Sequence, residues 1–184
     1  MNSFAERSAP SAIQDKDMLE LQRSQLKHDQ LFHPDILALR VHERTVHYVL
    51  HFAKYSGRLI EAELSRDFDT ARLVTVDAII ISLAFCNMFN IKAYMPAKAG
   101  STRQDFGTLI KQFAICSGRM AKTAESIDHL EALNFRVDLE GQIGDMLKVI
   151  GQISSALSLD VSSAVIARLD EVEKKSIFYP INSR

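Results

Sequence analysis

Glu43, His47 and His51 recur every four residues, so a helix would carry all three on one face. Imidazole and carboxylate donors at that spacing suit zinc, iron or nickel, with His42 or Asp77 as a further donor. The competing reading is a polar helix face without chemistry. No HExxH pattern is present, and a metal site needs three or four ligands of fixed geometry. A second set of residues comes in two copies. Residues 52–59 read FAKYSGRL and residues 113–120 read FAICSGRM, identical at five of eight positions. Each segment precedes an apolar stretch with an early aspartate, Asp77 in the first and Asp145 in the second. A buried carboxylate needs a counter-charge. Arg58 would supply it for Asp77, and Arg119 for Asp145. Alternatively, both arginines are solvated and both aspartates are simple first-turn residues that favour the positive end of a helix dipole.

Other chemistries find little support. Ser56 and Ser117 precede glycine in mid-helix rather than at a strand-to-helix elbow, so a nucleophilic serine is not indicated. They read instead as small residues that, with Gly57 and Gly118, allow close helix packing. There is no glycine-rich phosphate loop and no dinucleotide fingerprint. The charged run from Arg168 to Lys175 reads as a solvated helix face.

The elements that must position these residues are helices. Glycine (7) and proline (4) are scarce over 184 residues, which argues against a many-stranded sandwich or barrel. Residues 11–30 form a polar helical pattern, an arm suited to docking at the periphery or on another subunit. Pro34 and Asp35 start a helix to about residue 64, with Leu37, Val41, Tyr48, Phe52 and Leu59 as its apolar stripe, widened by Val49, Ala53 and Ile60. Asp69 caps a third helix to about residue 91, apolar nearly all round and therefore central. Residues 92–100 are a linker, and Ser101 with Gln104 forms a capping box for a fourth helix ending near Leu133. Residues 134–138 are a loop. A fifth helix spans 139–157, where Gly144 and Gly151 permit a close crossing, and Asp160 caps a sixth over 161–175. The matched segments predict a tandem duplication of a helical hairpin, 35–92 and 103–159. The expected fold is all-α: a four-helix bundle core from two repeated hairpins, plus an N-terminal arm helix and a C-terminal helix. The organisation reads as tail and arm 1–33, one domain 34–176, and tail 177–184.

Net charge is −1, which marks no nucleic-acid surface. The most apolar stretch, 78–89, is interrupted by Ser82 and Asn87 and reads as too short and too polar to span a bilayer. Cys86 and Cys116 sit inside apolar patterns and read as reduced core thiols. With no apolar leader over residues 1–12, the sequence points to the cytoplasm, with no membrane or nucleic-acid partner.

Residues 57–62 (GRLIEA), the Val74–Asp77 and Gln142–Asp145 pairs, and the stretch from Leu159 through Glu171 resemble the MazG-like, all-α nucleotide pyrophosphohydrolase superfamily, which includes dimeric dUTPases. The resemblance covers about residues 35–176. It implies a helical, oligomeric protein, most simply a homodimer, whose carboxylates hold magnesium over a nucleotide's phosphates. It also implies a phosphate contact from a basic residue near Arg168. The departures are specific. Where the family has metal-binding acids, the first half carries Lys54, Tyr55, Arg58 and Val74, and the second carries Ile115, Cys116, Arg119 and Gln142. Only Asp77 and Asp145 remain. The resemblance therefore implies a binding or assembly module that has lost magnesium hydrolysis. Two alternatives stand beside it: a working nucleoside triphosphate pyrophosphohydrolase using Glu61, Glu63, Glu125, Asp77 and Asp145 with magnesium, and a helical metal-binding protein using His47, His51 and Glu43.

Overall fold

A computed structural model describes residues 15–96, 104–129, 131–132 and 134–179. All regular elements among them are helices: α1 (Asp15–Phe32), α2 (Pro34–Leu37), α3 (Val41–Ser65), α4 (Phe68–Phe89), α5 (Phe106–Asp128), α6 (Phe135–Ala156) and α7 (Val161–Glu173). The all-α class is as the composition and periodicity predict.

The helix starts are written in a recurring polar signature. Asp67, Asp105 and Asp160 each accept the backbone N–H three residues on, and the hydroxyls of Thr70, Thr108 and Ser163 donate to their second oxygens. Each cap satisfies an amide that the helix leaves unpaired. Asp67, not Asp69, therefore begins α4, and Asp105 begins α5. The predicted capping serine, Ser101, lies outside the described residues. Asn134 accepts from Val137 N and starts α6 where a loop was expected. Asp160 caps α7 as predicted. The single helix expected from residue 34 to 64 is two, because Arg40 takes an extended ψ of 152° between α2 and α3. The restart leaves Val41, Ala53 and Ile60 facing solvent, and α3 instead buries Tyr55, Ser56 and Ala62 beside Tyr48, Phe52 and Leu59.

α3 and α4 form one hairpin, and α5 and α6 a second. α3 packs on α5 and α4 packs on α6. This is the arrangement that two copies of one hairpin would make about a twofold axis. The matched phenylalanines of the repeat meet across it: Phe52 and Phe113 are both fully buried, edge to face, with ring centroids 6.4 Å apart. At this separation the pair adds about 0.5–1.5 kcal/mol to the burial of its area.

α4 is central, as its sequence requires. It is long and apolar enough to cross a membrane, but it lies among α1, α3, α6 and α7, and its buried residues run from Ala71 to Cys86. Cys86 and Cys116 are both buried free thiols. α1 docks on its own chain, against α4 and α7, burying Met18, Leu21 and Phe32. The apolar positions that pointed to a second subunit are thus used within the chain. Gln22 ties α1 to the segment after α4, donating to Ile91 O and accepting from Ala93 N. α7 turns through 101° from α6 and crosses α4 and α1.

Candidate functional site

A two-pronged ion pair joins α4 to α7. Arg168 Nε donates to Asp77 Oδ1 at 2.7 Å and Nη2 to Oδ2 at 3.2 Å, a two-pronged pair whose side chains are 14% and 13% exposed. Arg168 Nη1 also donates to Glu171 Oε2 at 2.6 Å, and Lys175 reaches the other oxygen of Glu171. The arginine's shared hydrogen bonds with Asp77 and Glu171 raise its pKa further, and hold that of Glu171 down at about 2. Asp77 thus has a part-buried counter-charge, as one of the two sequence readings had it, but the partner is Arg168 and not Arg58. The reason lies in the packing. α7 folds back over α4, so a residue 91 positions away reaches the carboxylate.

α3 lines the other side of this pair. The charge of Asp77 acts on Tyr55 and Lys54, and Arg58 stands beside both. Burial is the main cause of the raised Tyr55 pKa. Lys54 Nζ sits 4.7 Å above the Tyr55 ring. The His51 ring nitrogen Nδ1 lies 3.1 Å from the Tyr55 hydroxyl and 3.2 Å from Lys54 Nζ. An ammonium only donates, so Nδ1 accepts and the ring proton sits on Nε2. Burial, then Lys54 and His47, push the His51 pKa down to about 4. This region therefore presents a neutral imidazole, a tyrosine hydroxyl and two cations, Lys54 and Arg58, around an aspartate already neutralised by Arg168. Neither Lys54 nor Arg58 ion-pairs with a carboxylate among the described residues.

The second half does not reproduce this arrangement. Arg119 and Asp145 are both exposed, near Cys116, with no ion pair between them. No helix crosses α6 there as α7 crosses α4. Gln142 donates to Thr123 on α5.

The acids of the hydrolase reading do not converge. Glu61 is exposed, Glu63 lies beside Gly107, and Glu125 pairs with Lys122. Magnesium takes an octahedral shell of oxygen donors, usually one or two carboxylates with waters and phosphates. Asp77 has both oxygens occupied by Arg168, so these residues do not fit that ion. The proposed histidine set does not close either. The His47 and His51 rings lie 4.8 Å apart, tilted by 60°, but Glu43 turns away to close a capping box with Arg40.

The small residues resolve into two kinds. A Cβ placed on Gly57, Gly118 or Gly144 would meet nothing within 4 Å, so these glycines do not serve close packing. Gly151 does: its Cβ would fall 2.8 Å from Met95 Cγ. Gly144 instead borders a cleft of about 300 Å³ between α6 and the 91–96 segment, lined also by Tyr94, Glu140 and Lys148. That cleft lies apart from Asp77 and Arg168.

Among the described residues, one group of three possible metal donors gathers within 4.8 Å: His28, Asp29 and His33. Sequence reasoning passed over it because i, i+1, i+5 is not a helical face. The group forms only because α1 ends before Pro34 and the chain turns a corner. No family model, curated protein or solved structure matches the chain.

Proposed function

We propose that this is a MazG-like helical protein that has lost magnesium-dependent hydrolysis and serves as a binding and assembly module for a phosphate-bearing, nucleotide-like ligand. The observation that carries this reading is the Asp77–Arg168 pair. In the family the sequence resembles, an aspartate at this place would help hold magnesium; here the guanidinium takes both oxygens of Asp77 and supplies a fixed positive charge without coordination chemistry. Lys54 and Arg58, on the facing side of α3, add two cations free to meet phosphate oxygens. Tyr55 OH and the neutral His51 offer polar contacts that are not charge-dependent.

Assembly into a homodimer is part of the same proposal. Leu50, Ala53, Gly57, Ile60 and Leu64 are all exposed and follow the alternating three–four spacing of a helix seam. Leu50 and Leu64 are 63% and 76% exposed. This stripe, rather than α1, supports a second copy. Most of the apolar surface of α4 is taken up by its own chain, so the helix reads as part of the core rather than as a membrane span.

Calorimetric titration with a nucleoside triphosphate in the presence of chelator tests the binding. Metal-free binding that weakens at least tenfold in Lys54→Ala with Arg58→Ala is expected. No binding, or binding untouched by those changes, overturns it. Light scattering of Leu50→Glu with Leu64→Glu tests the seam, with loss of the dimer as the expected result and a monomeric parent as the refuting one.

A further inference from the structure

The corner between α1 and α2 carries a feature that the binding face does not use. His28 and Asp29 lie in α1, four and three residues before its end at Phe32, and His33 lies just before Pro34 at the start of α2. Their donor atoms all lie within 4.8 Å of one another, and His28 Nδ1 is 3.6 Å from Asp29 Oδ1. That separation is too long for a hydrogen bond. His28 is 7% exposed, and neither of its ring nitrogens has a hydrogen-bond partner. A buried imidazole without a partner is costly, because each nitrogen has given up water for nothing.

Asp29 is held for this role from behind. Asn87 on α4 donates to Gln25 Oε1, which fixes the amide, and Gln25 Nε2 donates to Asp29 Oδ2. The carboxylate is left with Oδ1 toward His28. Outer hydrogen bonds of this kind set the orientation of metal-binding side chains. His33, Asp29 and Asp35 are all close enough to act electrostatically on His47 across the corner. The rings of Phe32 and Tyr179 pack together at 6.3 Å beside the corner, with Phe32 against His28.

We infer that His28, Asp29 and His33 form a binding site for a divalent transition ion of the zinc class, with a fourth position open. Two imidazoles and one carboxylate select zinc, cobalt, nickel or iron(II) over magnesium or calcium. Bonds of about 2.0–2.2 Å place tetrahedral donors roughly 3.3 Å apart. The 3.6 Å already present is near that value, and the three donors, all within 4.8 Å of one another, would draw in around the ion by side-chain movement. The ion would satisfy His28 and tie the end of α1 to the corner. The inference does not depend on the nucleotide reading, and its readout involves no nucleotide.

The experiment titrates the chelator-stripped full chain with Zn²⁺, and with Co²⁺ read by its visible absorption. One ion per folded chain is expected, with a rise in Tm on zinc addition. His33→Ala and Asp29→Asn change residues at the corner rather than in the main core, and each lowers affinity at least tenfold and abolishes the rise in Tm. His51→Ala leaves both unchanged. Absence of stoichiometric uptake by the folded parent, uptake unaffected by His33→Ala and Asp29→Asn, or uptake lost in His51→Ala instead, each overturns the assignment.

Discussion

Replacing Arg168 with methionine leaves Asp77 covered by α7 with no hydrogen-bonding cation. Removing one partner of a buried ion pair costs about 3–5 kcal/mol, because the remaining charge keeps its desolvation and loses its attraction. Here each side chain is about one-seventh exposed, 14% for Arg168 and 13% for Asp77, and Lys54 acts on the same carboxylate. Both facts reduce the penalty, to about 2–4 kcal/mol. For a chain of this length, 1 kcal/mol shifts Tm by about 2–4 °C, so the expected fall is roughly 4–16 °C. Urea unfolding of Arg168→Met, Asp77→Asn and the double variant gives the coupling directly. The double variant should be less destabilised than the sum of the singles by more than about 1 kcal/mol. Glu171→Gln serves as a control, since it removes only the exposed arm of the arginine's contacts, and its effect should be the smallest of the set. Single variants within about 0.5 kcal/mol of the parent, or fully additive ones, would refute a coupled pair.

The His51 ring should remain neutral in the fold down to about pH 4. Its pKa is depressed below the unfolded value of 6.5, so the unfolded chain takes up the proton first. The His51 contribution to stability is complete above about pH 6.5 and is lost as pH falls toward 4. An NMR titration of the ring and a pH series of Tm for His51→Gln check this, and the variant should lose that part of the acid slope. Gly118→Ala should stabilise by about 0.5–1 kcal/mol, since the residue is helical and meets open space; destabilisation would restore a packing role. Gln22→Ala removes the partner of Ile91 O and Ala93 N, and should cost about 1–3 kcal/mol for each group left unpaired. Hydrogen exchange at the Ala93 amide should accelerate in that variant.

Much of the fold could be read locally. The apolar character of α4 placed it at the centre, and the matched segments at 52–59 and 113–120 predicted two hairpins; that their phenylalanines meet is visible only in the structure. The errors came where a local signal had competitors. Asp67 precedes α4 and Asp69 lies in its first turn, and only Asp67 has Thr70 three residues on to return a hydroxyl. The same aspartate–hydroxyl spacing at Asp105 and Asp160 was the signal that distinguishes the true caps. The break at residues 38–40 has no proline or glycine to announce it. The candidate site was legible only in part. That Asp77 needs a cation follows from burial, but its identity depends on α7 returning over α4, which no local pattern specifies. The His28 corner was hidden for the same reason: its three donors share no helical face and meet only because the chain bends at Pro34.

We propose that Arg168 stands in for a metal ion at Asp77. Pyrophosphate release from the common ribo- and deoxyribonucleoside triphosphates, with magnesium or manganese and purified full-length chain, tests it most directly. The account predicts no turnover above the uncatalysed background with any of them. Turnover abolished by Asp77→Ala or Asp145→Ala would contradict it and make the chain a working pyrophosphohydrolase.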